Sequence, residues 1–416
     1  MRGFSAVAVA LAVVCVVAGP GAAGRRDDTG WLQAKLDQGG RIVLPKLSGG
    51  RCYAARGLWV SHDDTDIVSQ GACIVALGPG PVRLRSADGD PIPANAVFFV
   101  NHSRPLAPAP ARIRISGLRI VVPETAQMFG LGIFGHDVTV SHVTVTGAPI
   151  DDITIGGRAN GDGYAGRVSI QHSYFAGGTR NVLSATGVVD LTIEQSRLTG
   201  ATDTFREGRG RLGGNPAAGI DVEPDGRGRP ILDVRIDHCT IDRNAGPGIL
   251  LALSTNDGLP VVADRITIAD NRIVDNGQKT TPPQQGGIVF NGGQARPRGV
   301  AVVERNVITG NRGAGLQGAQ MALGLIARGN DLSGNAGGPS SGIRFGGERR
   351  VSSARPAAAI LPRSTVVTRA ALASLGRSLV TLATLFTRAA VAPGSPLAVL
   401  LVPFHAATLL LSRPDG

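Results

Sequence analysis

Three acidic residues alternate with apolar residues in one short segment, GIDVEPD. Asp221, Glu223 and Asp225 take every second position, with Ile220 before the first acid and Val222 between the first two. Successive side chains of a strand point to opposite faces, so inward apolar residues place Asp221 and Glu223 together on the outer face. Carboxyl groups at i and i+2 lie about 6.5–7 Å apart along the backbone, within the spacing that inverting glycosidases use. The segment therefore predicts a catalytic carboxylate pair, Asp221 and Glu223.

A competing chemistry is β-elimination or epimerisation of a uronate. In that reaction a cation or Ca²⁺ neutralises the sugar carboxylate and a base removes the neighbouring proton. The lysines are Lys35, Lys46 and Lys279, and none is expected near this coil, so arginine or histidine would have to act. Hydrolysis needs no cofactor, and Ca²⁺ is expected only for a lyase. A structural role, in which the acids cap turns or pair with arginines, stays open.

Candidate binding residues accompany the pair. The loop ATDTFREGRGRLGGNPAA brings several arginines to the same coil. We expect Arg206 from this loop, or Arg180, to hold an anionic sugar. Asp152 is expected two coils earlier on the same face as a binding or metal-supporting group, and Asp225 as a further substrate-binding residue.

A repeated pattern of short strands carries the segment. Alternating apolar positions, a polar step and another apolar residue recur in IRISGLRI, VTVSHVTV, VSIQHSYF, LTIEQSRL, VRIDHCTI, ITIADNRI, AVVERNVI and LIARGNDL. A second strand opening with Gly follows most copies, as in GIDVE, GILLA and GIVFN. Period-two alternation with copies about 23 to 43 residues apart predicts one solenoid coil per copy, hence an all-β parallel β-helix.

Equivalent positions of such coils stack about 4.8 Å apart along the axis. One slot, expected to point inward, holds Leu118, Val143, Ser173, Ser196, Cys239, Asn271, Asn306 and Asn330. The slot two residues later holds Ile120, Val145, Phe175, Leu198, Ile241, Ile273, Ile308 and Leu332. We expect an asparagine ladder in the first slot, and core packing for Cys239 in place of a nucleophilic role.

The outer face around the acid pair is predicted to be apolar and small. The neighbouring coils are expected to place Leu183 and Leu250 at the position of Asp221. They are likewise expected to place Ala185 and Ala252 at the position of Glu223. Two acids among such residues differ from an ordinary solvated run of charges.

The first residues have the layout of a cleaved export signal. MRGFSAVAVALAVVCVVAGPGAAG has a basic start, an apolar run and small residues near its end, and the run is shorter than the roughly 20 residues of a spanning helix. We expect residues 1–24 to be a signal peptide and the mature chain to be secreted or cell-surface. In an oxidising compartment, a disulfide between Cys52 and Cys73 is favoured over two buried thiols.

Both ends of a solenoid expose strand edges that need covers. Residues 25–110 are predicted to form an N-terminal cap and the first coils, with a helix around Trp31, Leu32 and Leu36 and a strand over 41–44. Residues 111–347 are predicted to form the continuous β-helix. Residues 348–416 are basic and apolar, and we expect a partly helical tail that either contacts the membrane or envelope or caps the last coil.

The charge balance bears on partners. The formal net charge is +11, which in a cytosolic protein would suggest nucleic acid. An exported β-helix without interleaved aromatic residues is better matched to an acidic polysaccharide or an anionic envelope, so nucleic acid is not expected. We expect a monomer.

Three histidines, His142, His172 and His238, share one outward slot of the repeat. These histidines could bind a metal ion, or they could simply be exposed surface residues. Because the pattern offers no carboxylate partner, no metal is assigned.

Consecutive segments also carry a family resemblance. DDITIGG (151–157), TRNVLSA (179–185) and NPAAGIDVEPD (215–225) follow at one-coil intervals. This succession resembles a group of extracellular right-handed β-helix proteins related to pectate lyases, polygalacturonases and mannuronan epimerases, whose coils read roughly DGIYIG, RQGISV and AGIDIEP. The segment TGWLQAKLDQGGRIVLPK resembles the N-terminal cap of the pectate-lyase-like superfamily. The chain departs from the pattern at Asp152 and at positions 181–183.

Two functional classes follow. The first is a secreted carbohydrate-active enzyme, a glycoside hydrolase or polysaccharide lyase, that uses the coil of Asp221 on a polysaccharide. The second is a non-catalytic β-helix that binds polysaccharide or acts as a surface adhesin. A cleft that both acids face favours the enzyme, and a flat face with fully paired acids favours binding.

Overall fold

The computed structural model describes residues 26–85, 91–102, 108–156, 163–204, 206–207, 211–212, 216–224, 229–253, 261–279, 285–292, 299–319 and 323–343. The chain divides into two units, Met1–Glu348 and Arg349–Gly416, and all described residues belong to the first. The predicted export signal, the predicted tail and Asp225 therefore lie outside the described residues.

Each coil adds one strand to each of three parallel sheets, named A, B and C in chain order. The described strands of sheet A are Arg41–Leu44, Asp66–Ser69, Ala111–Ser116, His136–Ser141, Ala165–Gln171, Val188–Glu194, Ile231–Asp237, Ala263–Ala269, Val300–Glu304 and Gly324–Arg328. Those of sheet B are Tyr53–Arg56, Cys73–Gly78, Arg119–Val121, Thr144–Thr146, Tyr174–Ala176, Arg197–Thr199, Thr240–Asp242, Arg272–Val274 and Val307–Thr309. Those of sheet C are Leu58–Val60, Ala96–Val100, Phe129–Ile133, Asp151–Gly156, Asn181–Thr186, Ile220–Val222, Ile249–Ala252, Ile288–Asn291, Leu316–Ala319 and Ser340–Ser341.

The alternation read from the sequence sets the inside of the coil. Ile236 stacks on Ile268 in sheet A, and both side chains are fully buried. Ile220 stacks on Ile249 in sheet C, again in the core. Parallel sheets that close around one apolar interior define a parallel β-helix, so the predicted fold class is confirmed.

The asparagine ladder lies in the turn between sheets A and B. The side chain of Asn271 donates to Oδ1 of Asn306 at 3.0 Å, and Asn306 donates to Oδ1 of Asn330 at 2.9 Å. Cys239 occupies the slot below and donates its backbone N–H to Asn271 at 2.8 Å. The predicted ladder and the packing role of Cys239 are confirmed.

A second ladder, absent from the sequence prediction, lies in the turn between sheets B and C. Asn244, Asn276, Asn311 and Asn335 hydrogen-bond in succession, with amide-to-amide distances of 2.8–3.0 Å. Three of these residues stand five positions after a member of the first ladder. This regular offset is the sequence signal that could have revealed them.

A short helix covers the first coil. It spans Thr29–Leu36 and buries Leu32 and Leu36. The buried amide of Gln33 donates to the carbonyl of Trp59 at 3.0 Å and accepts its N–H at 2.9 Å, which pairs backbone groups at the sheet edge. The remaining elements are 3₁₀ turns at Ser48–Gly50 and Glu124–Ala126, and hairpins of Val82–Arg85 with Pro91–Pro93 and of Arg206–Glu207 with Arg211–Leu212.

The cysteines divide as the sequence suggested. Cys52 and Cys73 form a disulfide between successive coils on sheet B. Cys239 is free and buried, and burial raises the pKa of its thiol to about 12. A thiol held neutral in the core is not a nucleophile.

Candidate functional site

The outward positions of sheet C form a row that passes through the acid pair. Asp221 stacks between Ser184 and Leu250 in this row. Leu183 instead stacks on Ile220 in the core. The expectation of Leu250 beside Asp221 is confirmed, and that of Leu183 was wrong by one residue.

Asp221 faces away from the core yet is only 2% exposed. Its Oδ2 accepts a hydrogen bond from the side chain of Asn181 at 3.1 Å, whereas its Oδ1 is buried without a partner among the described residues. Burial, followed by the charge of Glu223, raises the pKa of Asp221 well above its usual value. Arg180 and the Asn181 hydrogen bond only partly oppose this rise in pKa. The surroundings of Asp221 therefore favour its protonated form.

Asn181 connects the site to the backbone. Its Oδ1 accepts the backbone N–H of Ala218 at 2.9 Å, and its Nδ2 donates to Ser184 Oγ and Asp221 Oδ2, both at 3.1 Å. The side chain is 1% exposed. Every donor of this amide is used, so its orientation is fixed.

Next to Asn181 lies a buried ion pair that the sequence prediction did not include. Asp151 is fully buried and accepts a two-point contact from Arg180, with Nε to Oδ1 at 2.9 Å. The guanidinium of Arg180 also lies 6.0 Å from the ring centre of Phe129. Burial lowers the pKa of Arg180, but the carboxylate of Asp151 outweighs it and raises this pKa. Arg180, expected to hold an anionic sugar, already holds a carboxylate.

Asp152, expected to be a binding or metal-supporting group, has no exposed surface. Its two oxygens accept the backbone N–H groups of Ala148 and Gly178, each at 3.1 Å. Burial raises the pKa of Asp152 despite these hydrogen bonds. Asp152 therefore ties together the turns that carry Ala148 and Gly178.

Glu223 follows the strand Ile220–Val222 and is half-buried. Its backbone N–H donates to the carbonyl of Ala185 at 2.9 Å, while Ala185 itself stacks on Val222 in the core. Arg206, the other expected sugar-binding residue, belongs to a short antiparallel hairpin. Its side chain lies outside the described part of the structure.

Lys279 reaches the coil of the acid pair, which the sequence analysis had excluded. Its Nζ donates to the carbonyl of Pro216 at 3.2 Å and lies 3.8 Å from Asp203. Burial lowers the pKa of Lys279, and Asp203 opposes this shift. The turns between sheets B and C stack along the axis. Lys279, 63 positions after Pro216 in the sequence, therefore contacts Pro216.

The histidine row is present, and it has the carboxylate neighbour thought to be missing. The rings of His142 and His172 stack with centres 5.1 Å apart. Nδ1 of His238 lies 3.0 Å from Asp237, and with Asp270 these residues could offer ligand atoms within 4.8 Å of one another.

Arginines already occupy both carboxylates of that cluster. Arg235 donates to Asp237 at 2.7 Å, and Arg305 contacts both oxygens of Asp270 at 2.9 and 2.7 Å. A metal ion would have to displace two ion pairs. We therefore read this cluster as an ion-pair network.

Residues 129–335 match the family model described as "Right handed beta helix region". This match agrees with the observed parallel coil. A search of curated proteins finds no match. Across the described residues, the structure has no helix of sufficient length and apolar character to span a membrane.

Several solved structures are similar in fold. The A-module of the mannuronan C-5 epimerase AlgE4 from Azotobacter vinelandii shares 13% identity, with 78% of this chain and 95% of that chain covered and a TM-score of 0.39. The tailspike protein gp49 from Acinetobacter baumannii bacteriophage Fri1, a capsular polysaccharide depolymerase, shares 13% identity. The match covers 74% of this chain and 56% of that chain, with a TM-score of 0.44. The Streptococcus pneumoniae surface adhesin PfbA shares 14% identity, with 77% of this chain and 91% of that chain covered and a TM-score of 0.40. At these values the similarity carries no functional argument.

Proposed function

We propose that this protein is an exported glycoside hydrolase that cleaves a polysaccharide on the outer face of sheet C. Asp221 is the general acid and Glu223 the second carboxylate. The observation that carries the proposal is the buried Asp221 carboxyl, whose pKa is raised beside a second carboxyl group. Export rests on residues 1–24 of the sequence alone.

The chemistry requires two carboxyl groups in different protonation states. A general acid must still hold its proton near neutral pH in order to protonate the leaving-group oxygen. Burial and the charge of Glu223 raise the pKa of Asp221 in the direction that a general acid requires. Glu223 is half-buried and sits two residues along the chain, which suits a base that activates water or a nucleophile.

The surroundings favour hydrolysis over elimination. Elimination needs a positive group to neutralise a sugar carboxylate. Arg180 is held by Asp151, and Lys279 lies near Asp203. Among the described residues, the cations around the acid pair thus already face carboxylates. A neutral sugar next to Asp221 fits this arrangement better than the acidic sugar expected from the net charge.

Access to the cluster is through its more exposed members. The side chain of Arg180 is 30% exposed and Glu223 is half-buried, whereas Asp221 is only 2% exposed. A sugar would meet Glu223 and Arg180 first. Water is kept from Asp221, which is the condition that maintains its raised pKa.

The burial of Asp221 also favours one alternative, a β-helix that binds polysaccharide without cleaving it. In that case the cluster stabilises the outer face of sheet C, and no bond is broken. The two functions differ in turnover and agree in binding. They are separated by an assay that records both.

The test is a panel of neutral and acidic polysaccharides. Reducing ends report hydrolysis, and ultraviolet absorbance of an unsaturated product reports elimination. We expect new reducing ends from a neutral glycan and a loss of about a hundredfold or more in rate for Asp221→Asn and Glu223→Gln. Asp233→Asn is the matched control, because Asp233 lies in the next strand along the chain, on sheet A, and should keep full rate. Turnover that survives both site substitutions contradicts the proposal, and binding without turnover supports the alternative.

A further inference from the structure

We propose that Asp221 holds its acidic proton on Oδ1, and that Asn181 is the positioning residue that fixes it there. The location of the proton stands on hydrogen-bond geometry. Only the use of that proton, donation to a glycosidic oxygen, rests on the proposed function. The inference thus identifies a residue, and one oxygen of the acid, that sequence reasoning had not singled out.

The first step is the orientation of the Asn181 amide. A backbone N–H can only donate, so the side-chain atom 2.9 Å from the N–H of Ala218 must be the amide oxygen. The amide nitrogen is then turned to the other side. There it lies 3.1 Å from Ser184 Oγ and 3.1 Å from Asp221 Oδ2.

The second step is the choice between the two oxygens of Asp221. Asn181 donates to Oδ2, and the carbonyl oxygen of a neutral carboxyl is its better acceptor, so Oδ2 is the carbonyl oxygen. The hydroxyl is then at Oδ1, which is buried with no partner among the described residues. A buried O–H without an acceptor among the described residues is an unsatisfied donor, and the oxygen of a ligand that reached it would supply the missing acceptor.

The third step is the charge around the carboxyl. Glu223 and Asp151 oppose ionisation of Asp221, whereas Arg180 and Asn181 favour it. Asp151 already binds Arg180 through two contacts, which limits how far that cation can favour the Asp221 anion. The strands on both sides contribute Ser184 and Leu250, which are uncharged. These neighbours leave the proton on Asp221.

The direct test is infrared difference spectroscopy at neutral pH. Subtracting the spectrum of Asp221→Asn from that of the parent should reveal one protonated carboxyl band. In Asn181→Asp, the new side chain still accepts from Ala218 but presents an acceptor to Oδ2, so the proton should move from Oδ1 to Oδ2. The Asp221 carbonyl then loses its donor, and its stretch should shift to higher frequency. A parent spectrum without the band, or an unshifted band in Asn181→Asp, overturns the inference.

A second test uses activity on any glycan that the parent cleaves. Asn181→Asp should lose about a hundredfold in kcat/KM although both carboxyl groups remain. Ser184→Ala, which removes the other acceptor of the same amide, should leave the alkaline limb of the pH profile in place. An Asn181→Asp enzyme with the parent's kcat/KM and pH profile contradicts the positioning role. If no glycan is cleaved, the infrared result still decides where the proton lies, so failure of the proposed function is distinguishable.

Discussion

Two polar regions of this β-helix differ in how completely their buried polar atoms are hydrogen-bonded. In the inner ladder, Asn306 accepts from the backbone and side chain of Asn271 at 2.9 and 3.0 Å, and it donates to Ile268 and Asn330 at 2.8 and 2.9 Å. On the outer face of sheet C, Asp221 is equally buried but keeps one oxygen unpartnered among the described residues. Satisfied groups hold coils together, whereas an unsatisfied buried acid costs stability and is available for chemistry.

The largest expected effect lies in the inner ladder. Asn306→Leu should lower the free energy of unfolding by about 3 kcal/mol or more, because it leaves a buried N–H and a buried carbonyl unpaired. Size is not the cause, since Leu118 fills the equivalent slot of an earlier coil. Urea unfolding measures the loss.

The end of the ladder provides the control for that change. Asn330 is half-buried, so water can replace the hydrogen bonds that Asn330→Leu removes. The loss in the free energy of unfolding should therefore be smaller than for Asn306→Leu. Equal losses at both positions would contradict the ladder argument.

Asp152, like the asparagine ladder, is expected to contribute to stability, whereas Asp221 is expected to contribute to activity. Asp152→Ala removes the acceptor of two buried backbone N–H groups, at Ala148 and Gly178, and should cost about 2 kcal/mol or more in unfolding free energy. Activity of the folded variant should be retained, since the side chain has no exposed surface and both of its oxygens already accept backbone N–H groups. A folded Asp152→Ala that binds or cleaves no glycan while the parent does would restore the original expectation of a binding role.

The smallest effect is expected on the exposed surface. Asp233 pairs with Arg265 at 2.6 Å, and the two side chains are 41% and 58% exposed. Asp233→Asn should change thermal stability little, because exposed ion pairs contribute little and Asn tolerates the positive φ of 54°. A large drop in melting temperature would show that ion pairs hold the coils together on this face.

The sequence was sufficient where its period was unambiguous. Ile236, Ile268 and the first asparagine ladder followed from alternation alone. The position of Leu183 did not, because Val182 and Leu183 are adjacent, apolar and both fully buried. The sequence does not say which of the two points inward. The predicted register of this strand on sheet C was therefore shifted by one residue.

Contacts between coils were beyond sequence reasoning for a different physical reason. The turns differ in length, so distance along the chain does not measure distance along the axis. Lys279 therefore meets Pro216, and Arg180 meets Asp151. The buried pair at Asp151 changes the interpretation of Arg180 from a sugar-binding cation to a partner of the acid cluster.

The pH dependence of stability tests most directly whether Asp221 is a protonated outer-face acid. A carboxyl whose pKa is raised on folding binds more protons in the folded state, so the free energy of unfolding falls as pH rises from its unfolded pKa through its folded pKa. Asp221→Asn removes this fall and leaves an uncharged side chain of the same shape. We predict that chemical unfolding across pH will show the variant gaining stability relative to the parent as pH increases. A variant whose relative stability is constant or declines with rising pH would contradict the account.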